Sequence, residues 1–254
     1  MTALPLRRQN TAAVPDRLVS IDSESAIYRN GSYLENNPSW HMEESPLKVR
    51  QIQRMMKQQK LAPKTVCDVG CGAGLVLAEL QPHLPSGCVC WGYDVSPDAL
   101  AMTASRGNEK LLFRLRDIRK DECDTFFDLL LMLDVFEHVE DYMGLLRAVQ
   151  SKAKQKLFHI PLDLSVQAVL RKNGLLLRRD HHAHLHYFTK ETALRTLTDV
   201  GYTIIDHFYT PRCIELGDLL AQKMARIPRK LSFAAFPELT VRLLGGYSLM
   251  VLAE

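Results

Sequence analysis

The sequence lacks the features that would assign it to several special classes of protein. No part of its 254 residues approaches the run of ~18 uncharged apolar residues that a membrane-spanning helix needs. The first twenty residues lack the apolar stretch of a secretory signal, and we interpret them as a polar tail. A net charge of +3 is too small to indicate a nucleic-acid partner. We therefore expect a soluble cytoplasmic protein that does not bind nucleic acid.

The cysteines show no metal-binding pattern. There are six of them, and none forms the paired C-x-x-C spacing of a zinc site. Cys88 and Cys90 lie on one face of a predicted buried strand, where small thiols are common core residues. Such cysteines fit a reducing compartment, which again favours the cytoplasm.

Short apolar runs alternate with helical patterns from Ser45 to the end of the sequence. This alternation is typical of β-α-β units that build a parallel sheet. A length of 254 residues suffices for one large α/β domain with an added cap, and 46% hydrophobic and 24% charged residues are the ordinary balance of a soluble globular protein. Thr189 is predicted to cap a helix that ends near Gly201. Seven strands are predicted, at 65–69, 88–93, 111–115, 127–133, 156–160, 202–209 and 247–253.

A glycine-rich turn follows the first predicted strand and reads Asp68-Val69-Gly70-Cys71-Gly72-Ala73-Gly74. Alternating glycines let a backbone reach positive φ and approach a ligand closely. Dinucleotide enzymes have a similar loop, but their fingerprint needs Gly or Ala where this sequence has Leu75. Asp68 would repel a pyrophosphate, whereas it would attract the ammonium group of a methionine moiety. The loop therefore favours a cationic ligand, and a nucleotide-dependent oxidoreductase is the less favoured interpretation.

From Ser45 onward the sequence resembles the class I S-adenosylmethionine-dependent methyltransferases of the small-molecule type. The run Asp68-x-Gly70-x-Gly72-x-Gly74 is similar to the first motif of that family. The resemblance implies S-adenosyl-L-methionine as cofactor, with Asp94 on the ribose hydroxyls and Asp117 at the adenine amino group. A carboxylate suits the ribose because it can accept two hydroxyl hydrogen bonds. The implied cofactor-binding residues are Asp68, Gly70, Cys71, Gly72, Gly74, Asp94, Val95, Asp117, Ile118 and Asp134.

The resemblance also implies a fold and its divisions. We expect a Rossmann-like α/β fold, in which a seven-stranded, mostly parallel sheet has helices on both faces. An N-terminal arm precedes the sheet, and a cap insertion precedes the last strand. The predicted divisions are an arm or lid at 1–44, the core at 45–210 with an acceptor-lining segment at about 161–188, a helical cap at 211–246, and the last core strand at 247–254.

The fourth predicted strand ends in Asp134-Val135-Phe136-Glu137-His138-Val139, at the sheet edge where open α/β sheets bind ligands. This run is similar to the D-x-x-E-H-V segment of small-molecule methyltransferases, including those of ubiquinone biosynthesis. Some relatives have E-x-x-E-H there and hold a divalent metal with a further histidine. Asp134, Glu137 and His138 could bind Mg²⁺ or Mn²⁺, or Glu137 and His138 could only orient the turn. We expect no metal.

Four histidines, His181, His182, His184 and His186, precede Tyr187-Phe188-Thr189. In an extended segment the last three would share one face. The segment resembles the family's GHxxxFT segment, which lines the acceptor pocket. A histidine there could take the acceptor's proton, because its pKa is near neutrality, or these side chains could only pack on the cap. The candidate catalytic residues are His182, His186 and His138, with His159 at the end of the fifth strand as a further candidate.

Two further segments have two interpretations each. Tyr33 and Trp40 precede the first long helix and either fold over the cofactor or pack as an ordinary arm. Residues 214–231 combine apolar residues at helical spacing with basic neighbours, which predicts an amphipathic helix. Such a helix either covers the active site, which we favour, or makes a peripheral contact with an anionic membrane.

We predict a methyltransferase that acts on a small-molecule acceptor. A hydroxyl oxygen is favoured as the methylated atom because of the ubiquinone-like segment after the fourth strand. A general base is not compulsory, since the sulfonium is a good leaving group and positioning alone can contribute about 7–11 kcal/mol. The alternative from another class is a module that binds the cofactor without catalysis.

Overall fold

The computed structural model describes Tyr28 and residues 31–120, 125–212 and 220–254. Within them, one sheet has seven strands in the order β3-β2-β1-β4-β5-β7-β6. The first five strands pair in parallel, and β7 is antiparallel to both of its neighbours. The strands are β1 (Thr65–Val69), β2 (Val89–Asp94), β3 (Leu111–Leu115), β4 (Phe127–Leu133), β5 (Ala153–Pro161), β6 (Ile204–Thr210) and β7 (Ser248–Ala253). The predicted seven-stranded, mostly parallel sheet is confirmed.

Helices surround this sheet. They are α1 (Ser32–Asn36), α2 (Ser45–Gln59), α3 (Leu75–Leu80), α4 (Pro97–Ala101), α5 (Tyr142–Gln150), α6 (Val166–Leu170), α7 (Gly174–His182), α8 (Lys190–Val200), α9 (Leu220–Ala235) and α10 (Pro237–Leu244). Short 3-10 turns occupy Met42–Glu44, Gln81–His83 and Phe136–His138. Among the described residues, no helix is both long and apolar enough to cross a bilayer.

The central strand β4 shows why both faces of the sheet are covered. Leu130 and Met132 pack on one face with residues of α5 and α8. Leu129 and Leu131 pack on the other face with residues of α2 and α3. Because successive side chains of a strand point to opposite faces, an almost wholly apolar strand needs helices on both sides. The two resulting cores hold the carboxyl ends of β1, β2 and β4 at one edge.

The histidine segment is not extended, so the prediction that His182, His184 and His186 share one strand face is wrong. Helix α7 continues to His182, and Ala183 ends it in the left-handed conformation with φ of 59°. The N–H of Ala183 donates to the carbonyl of Arg179 at 3.0 Å. The side chains therefore do not alternate between two faces as they would in a strand, and the three histidines have different neighbours.

Part of the predicted cap is helical. Helices α9 and α10 lie between β6 and β7 and contact each other. The predicted amphipathic helix at 214–231 begins in residues 213–219, which lie outside the described residues. Its remainder coincides with α9, which continues to Ala235.

Thr189 caps α8, as the sequence predicts, and the cap is a reciprocal capping box with Thr192. The hydroxyl of Thr189 accepts from the N–H of Thr192 at 3.2 Å, and the hydroxyl of Thr192 accepts from the N–H of Thr189 at 2.9 Å. Gly201 ends the helix with φ of 105°, in the left-handed region that favours glycine. Between these two caps, α8 contacts α5 and β6.

Replacement of Thr189 by alanine should lower the free energy of unfolding by about 1 kcal/mol, because a cap acceptor is lost. Urea unfolding followed by circular dichroism measures this change. The control is Thr198→Ala in the same helix, whose exposed hydroxyl only bonds back to the carbonyl of Arg195. We expect that control to stay within about 0.5 kcal/mol of the unsubstituted protein. Equal losses in both variants would contradict the assignment.

Candidate active site

A cavity of about 360 Å³ opens at the carboxyl ends of β1, β2 and β4. Strand β1 lies between β2 and β4, so the strand order reverses at this point. Ligands of open α/β sheets bind at such a reversal. The glycine loop after β1 forms one wall, and residues of the N-terminal arm, α2 and the end of α7 close the others.

The loop after β1 needs glycine at two positions in particular. Gly70 has φ of 75°, and a Cβ there would lie 2.6 Å from Cγ2 of Val135. Gly74 has φ of 74°, and a Cβ there would lie 2.5 Å from the ring of Phe113. Both the conformation and the close approach therefore exclude a larger residue. Gly72, with φ of 53°, lines the cavity between them.

Asp68 carries a buried carboxyl group beside this loop. It is only 2% exposed and lines the cavity. Its Oδ1 has no hydrogen-bond partner among the described residues. Burial raises the pKa of Asp68 to about 7. An unpaired acceptor of this kind favours a ligand that brings a positive charge or a hydrogen-bond donor.

Asp94 ends β2 and ties the glycine loop to that strand. Its Oδ2 accepts from the N–H of Gly72 at 2.8 Å, and its Oδ1 accepts from the N–H of Ser96 at 2.8 Å. Burial raises the pKa of Asp94, although both backbone donors oppose that change. Asp94, Val95 and Cys71 line the cavity, as do the loop glycines.

The third acid is placed differently from the other two. Asp117 accepts from the guanidinium of Arg119 through both carboxylate oxygens, at 3.0 Å each. Arg119 lines the cavity, whereas Asp117 and Ile118 are not among its lining residues. Ile118 is 4% exposed and belongs to the hydrophobic core. The role of Asp117 and Ile118 at the adenine therefore stays a prediction.

Asp134 follows β4 with φ of 56° and is held from two sides. Its Oδ2 lies 2.8 Å from Nζ of Lys48, and its Oδ1 lies 2.6 Å from Nδ1 of His159. Nε2 of His159 lies 2.8 Å from the hydroxyl of Thr210. Burial alone would raise the pKa of Asp134, but its contacts with His159 and Lys48 hold that pKa well below the usual range. The sequence did not indicate Lys48, because a lysine on an amphipathic helix usually faces solvent.

Glu137, His138 and His184 form one of two groups among the described residues that could hold a metal, the other being His41, Glu43 and Glu44. Glu137 is fully buried, and neither carboxylate oxygen has a hydrogen-bond partner within the described part of the chain. One ligand atom from each residue lies within 4.8 Å of the others. One carboxylate and two imidazoles fit a divalent transition metal. Lys48 and His159 engage the carboxylate of Asp134, which is not in this group. The candidate ligands from the sequence therefore differ from the observed group in one residue, because His184 stands where the sequence indicated Asp134.

Burial keeps two histidines of the cavity uncharged at neutral pH. Burial, with the neighbouring His184, lowers the pKa of His138 to about 3, and its Nδ1 lies 3.2 Å from the carbonyl of Ala183. Burial, with Arg178 nearby, lowers the pKa of His182 to about 3. Both line the cavity. His186 does not, because its Nε2 lies 3.0 Å from the carbonyl of Val139 and its ring packs on Tyr142.

His184 has the surroundings of a proton acceptor, although the sequence favoured its neighbours. Its Nδ1 lies 2.5 Å from Oδ2 of Asp163, and Oδ1 of Asp163 lies 3.3 Å from Nε of Arg178. His184 lines the cavity. Asp163 lies two residues beyond β5, at the same sheet edge as the other acids, which is the signal that could have identified it.

The N-terminal arm reaches the cavity through its aromatic residues. The rings of Tyr33 and Trp40 lie 4.9 Å apart, and both line the cavity. Tyr33 is 8% exposed and also contacts His138, with ring centroids 6.5 Å apart. These contacts agree with the interpretation in which Tyr33 and Trp40 fold over the cofactor, rather than with ordinary packing of the arm.

A glycine loop and several acids at a strand-order reversal define a Rossmann-like cofactor-binding protein. Residues 40–207 match the family model described as a methyltransferase domain, and the chain belongs to this family. It is an S-adenosylmethionine-dependent methyltransferase. A comparison with curated proteins found no match.

Solved structures are similar in fold. The N-methyltransferase NodS from Bradyrhizobium japonicum WM9, in complex with S-adenosyl-L-homocysteine, has 17% identity and a TM-score of 0.59, covering 91% of this chain and 98% of its own. The magnesium protoporphyrin IX methyltransferase ChlM from Synechocystis PCC 6803, with bound S-adenosylhomocysteine, has 16% identity and a TM-score of 0.57, with the same two coverages of 91% and 98%. A putative sarcosine dimethylglycine methyltransferase from Galdieria sulphuraria has 14% identity and a TM-score of 0.57, covering 81% of this chain and 83% of its own.

Substitution of Lys48 by methionine should lower the free energy of unfolding at neutral pH by about 1–3 kcal/mol, because Asp134 loses a charged hydrogen-bond partner. The contribution of the pair is present above the ordinary carboxyl pKa of 3.8 and is lost as pH falls toward the lower pKa of the folded protein. Urea unfolding as a function of pH measures it. The control is Lys57→Met, an exposed position of the same helix. An unchanged stability in Lys48→Met would contradict the ion pair.

Proposed function

We propose that this methyltransferase transfers a methyl group to a hydroxyl oxygen of a small molecule and that His184, held by Asp163, accepts the hydroxyl proton. The contact that carries this proposal is the 2.5 Å approach of Nδ1 of His184 to Oδ2 of Asp163 at the cavity wall. A carboxylate at Nδ1 orients the ring and stabilises the imidazolium that forms when Nε2 takes a proton.

The cofactor is assigned to the side of the cavity formed by β1 and β2. The carboxyl of Asp68 suits the ammonium group of the methionine moiety, and Asp94 suits the ribose hydroxyls. Because its glycines carry no side chain, the backbone of the glycine loop can approach the same ligand closely. Support comes from the burial of both acids and from the unpartnered Oδ1 of Asp68 among the described residues.

The acceptor is assigned to the other side, between β4, β5 and the end of α7. His138, His182 and His184 line this side, and the low pKa of the first two leaves them neutral at pH 7. A cavity of about 360 Å³ closed by residues of the arm, α2 and the end of α7 suits a small molecule better than a polymer. The names of NodS and ChlM, two proteins of similar fold, describe methyltransferases, and NodS acts on nitrogen. Oxygen is proposed here because a hydroxyl, unlike a free amine, gains from a base that removes its proton.

Atoms and charges balance in the proposed step. Bound S-adenosylmethionine supplies a methyl group on a positively charged sulfur, which is a good leaving group. As the hydroxyl oxygen forms its bond to the methyl carbon, the carbon–sulfur bond breaks and its electron pair stays on sulfur. The hydroxyl proton moves to Nε2 of His184, and Asp163 remains ionised beside the new positive charge.

A cytoplasmic location is part of the proposal. Cys67, Cys71, Cys88 and Cys90 are buried and form no disulfide in the described part of the chain, which suits a reducing compartment. The alternative function is a module that binds the cofactor without catalysis. The test is incubation with methyl-labelled S-adenosylmethionine and a panel of phenols, alcohols and amines. An enzyme transfers the label to an acceptor and releases S-adenosylhomocysteine, whereas a binding module does neither.

Affinity for S-adenosylhomocysteine should fall as pH is lowered below about 7, because Asp68 must ionise to pair with the ligand's ammonium group. The fall should approach about tenfold for each pH unit, since Asp68 of the free protein is protonated at low pH and must release that one proton when the ligand binds. Calorimetry between pH 5 and pH 8 measures it. In Asp68→Asn the affinity should be weaker and its pH profile flatter. The control Asp98→Asn, outside the cavity lining, should keep the original profile.

With an acceptor from the panel, His184→Gln should lower kcat by about 10²-fold or more with little change in KM, because a general base is lost. His186→Gln is the matched control, since that ring lies outside the cavity lining and should leave kcat near its original value. Equal losses in both variants would remove His184 from this role. Activity that chelator abolishes and Mn²⁺ restores would instead make His184 a metal ligand with Glu137 and His138.

A further inference from the structure

Four helices beside the active site carry most of the exposed large apolar side chains. We define the cap surface as residues 166–182 and 226–244, which comprise α6, α7, α9 from Arg226 onward, α10 and the short connections between neighbouring helices. It includes ten of the thirteen exposed large hydrophobic residues in the described part of the chain. The most exposed of these are Leu170 at 80%, Ile227 at 71%, Phe236 at 67% and Leu231 at 66%. A protein rarely leaves so many apolar side chains exposed together unless the surface meets a partner.

The four helices form one connected surface. Helix α9 contacts α10, α10 contacts α6, and α6 contacts α7. The guanidinium of Arg229 on α9 also donates to the carbonyl of Leu244 at the end of α10, at 3.4 Å. The apolar side chains therefore lie side by side on neighbouring helices and are not scattered singly over the protein.

The charge of the cap surface has one dominant sign. Its sequence contains eight Lys and Arg residues and two acids, Asp180 and Glu238, within a chain whose net charge is only +3. The rest of the chain is therefore net acidic. Arg171, Lys172, Arg179 and Lys230 are exposed and have no acidic partner among the described residues. Apolar side chains with such basic neighbours match a bilayer that contains anionic lipid.

We propose that the cap surface docks on an anionic membrane, with its apolar side chains in the interface and its basic side chains against lipid headgroups. A second copy of this chain fits less well, because a symmetric dimer would place this basic surface against itself. Docking does not depend on the proposed acceptor chemistry. Since α7 belongs to this surface and its last residue, His182, also lines the cavity, docking holds the acceptor side of the cavity near the bilayer.

Flotation of the purified full chain with vesicles tests this proposal. We expect binding to phosphatidylcholine vesicles that also contain phosphatidylglycerol, weaker binding at high salt, and little binding to phosphatidylcholine alone. Ile227→Glu/Leu231→Glu should lower the partition coefficient at least about tenfold, since several apolar carbons no longer enter the interface. Lys172→Glu/Lys230→Glu should lower it at least about tenfold on the mixed vesicles, through lost attraction to anionic lipid.

The matched control is Leu115→Glu/Phe126→Glu, two exposed apolar residues outside the cap surface, which should bind vesicles as the original chain does. Unchanged affinity for S-adenosylhomocysteine and an unchanged melting temperature show that each variant is folded. Absence of vesicle binding by the original chain, or an equal loss in the control, overturns the proposal. A dimer in size-exclusion chromatography that only the cap variants dissociate would show that a second copy covers this surface instead.

Discussion

Burial of carboxylates at one edge of the sheet is the constraint on which this site depends. Asp68, Asp94 and Asp134 lie at or near the ends of three adjacent parallel strands, and all three line one cavity. Loss of water and mutual repulsion disfavour the ionised form of such a group unless each charge is compensated. The arrangement of the other groups in the site depends on which cation or hydrogen-bond donor each carboxylate meets.

The three carboxylates have different partners, and these partners distinguish one part of the cavity from another. Asp134 is engaged by Lys48 and His159, so it is internally neutralised. Asp94 accepts two backbone N–H groups and thereby shapes the glycine loop. Asp68 keeps one acceptor atom without a partner among the described residues. A cationic ligand completes this arrangement, which is why a positively charged methyl donor suits this loop better than a pyrophosphate.

The cap surface also borders the active site. Its helix α7 brings His182 to the cavity wall, and Arg178 on the same helix contacts Asp163, the partner of His184. The outer residues of α6 and α7 stay exposed and apolar. The packing that brings His182 to the cavity wall therefore also decides which side chains of α6 and α7 face outward.

Local features of the sequence predicted much of the fold. The strands agree with the predicted ranges to within three residues, because apolar runs bounded by turn residues are local signals. The capping box at Thr189 and the glycine loop were predictable for the same reason. The conformation of the histidine segment was not, since α7, which packs on α6, continues to His182 and ends at Ala183 inside that segment.

By itself, the sequence determined the order of helices and strands, the glycine loop and the class of cofactor, because each depends on residues close together in the chain. The tertiary structure decided which histidine of the segment 181–186 meets an acid, since His184 and Asp163 are separated by the two helices α6 and α7. It also decided that Lys48 neutralises Asp134, although the two lie on different elements. Such pairs form only when distant segments pack, and charge compensation inside a cavity depends on distance in space.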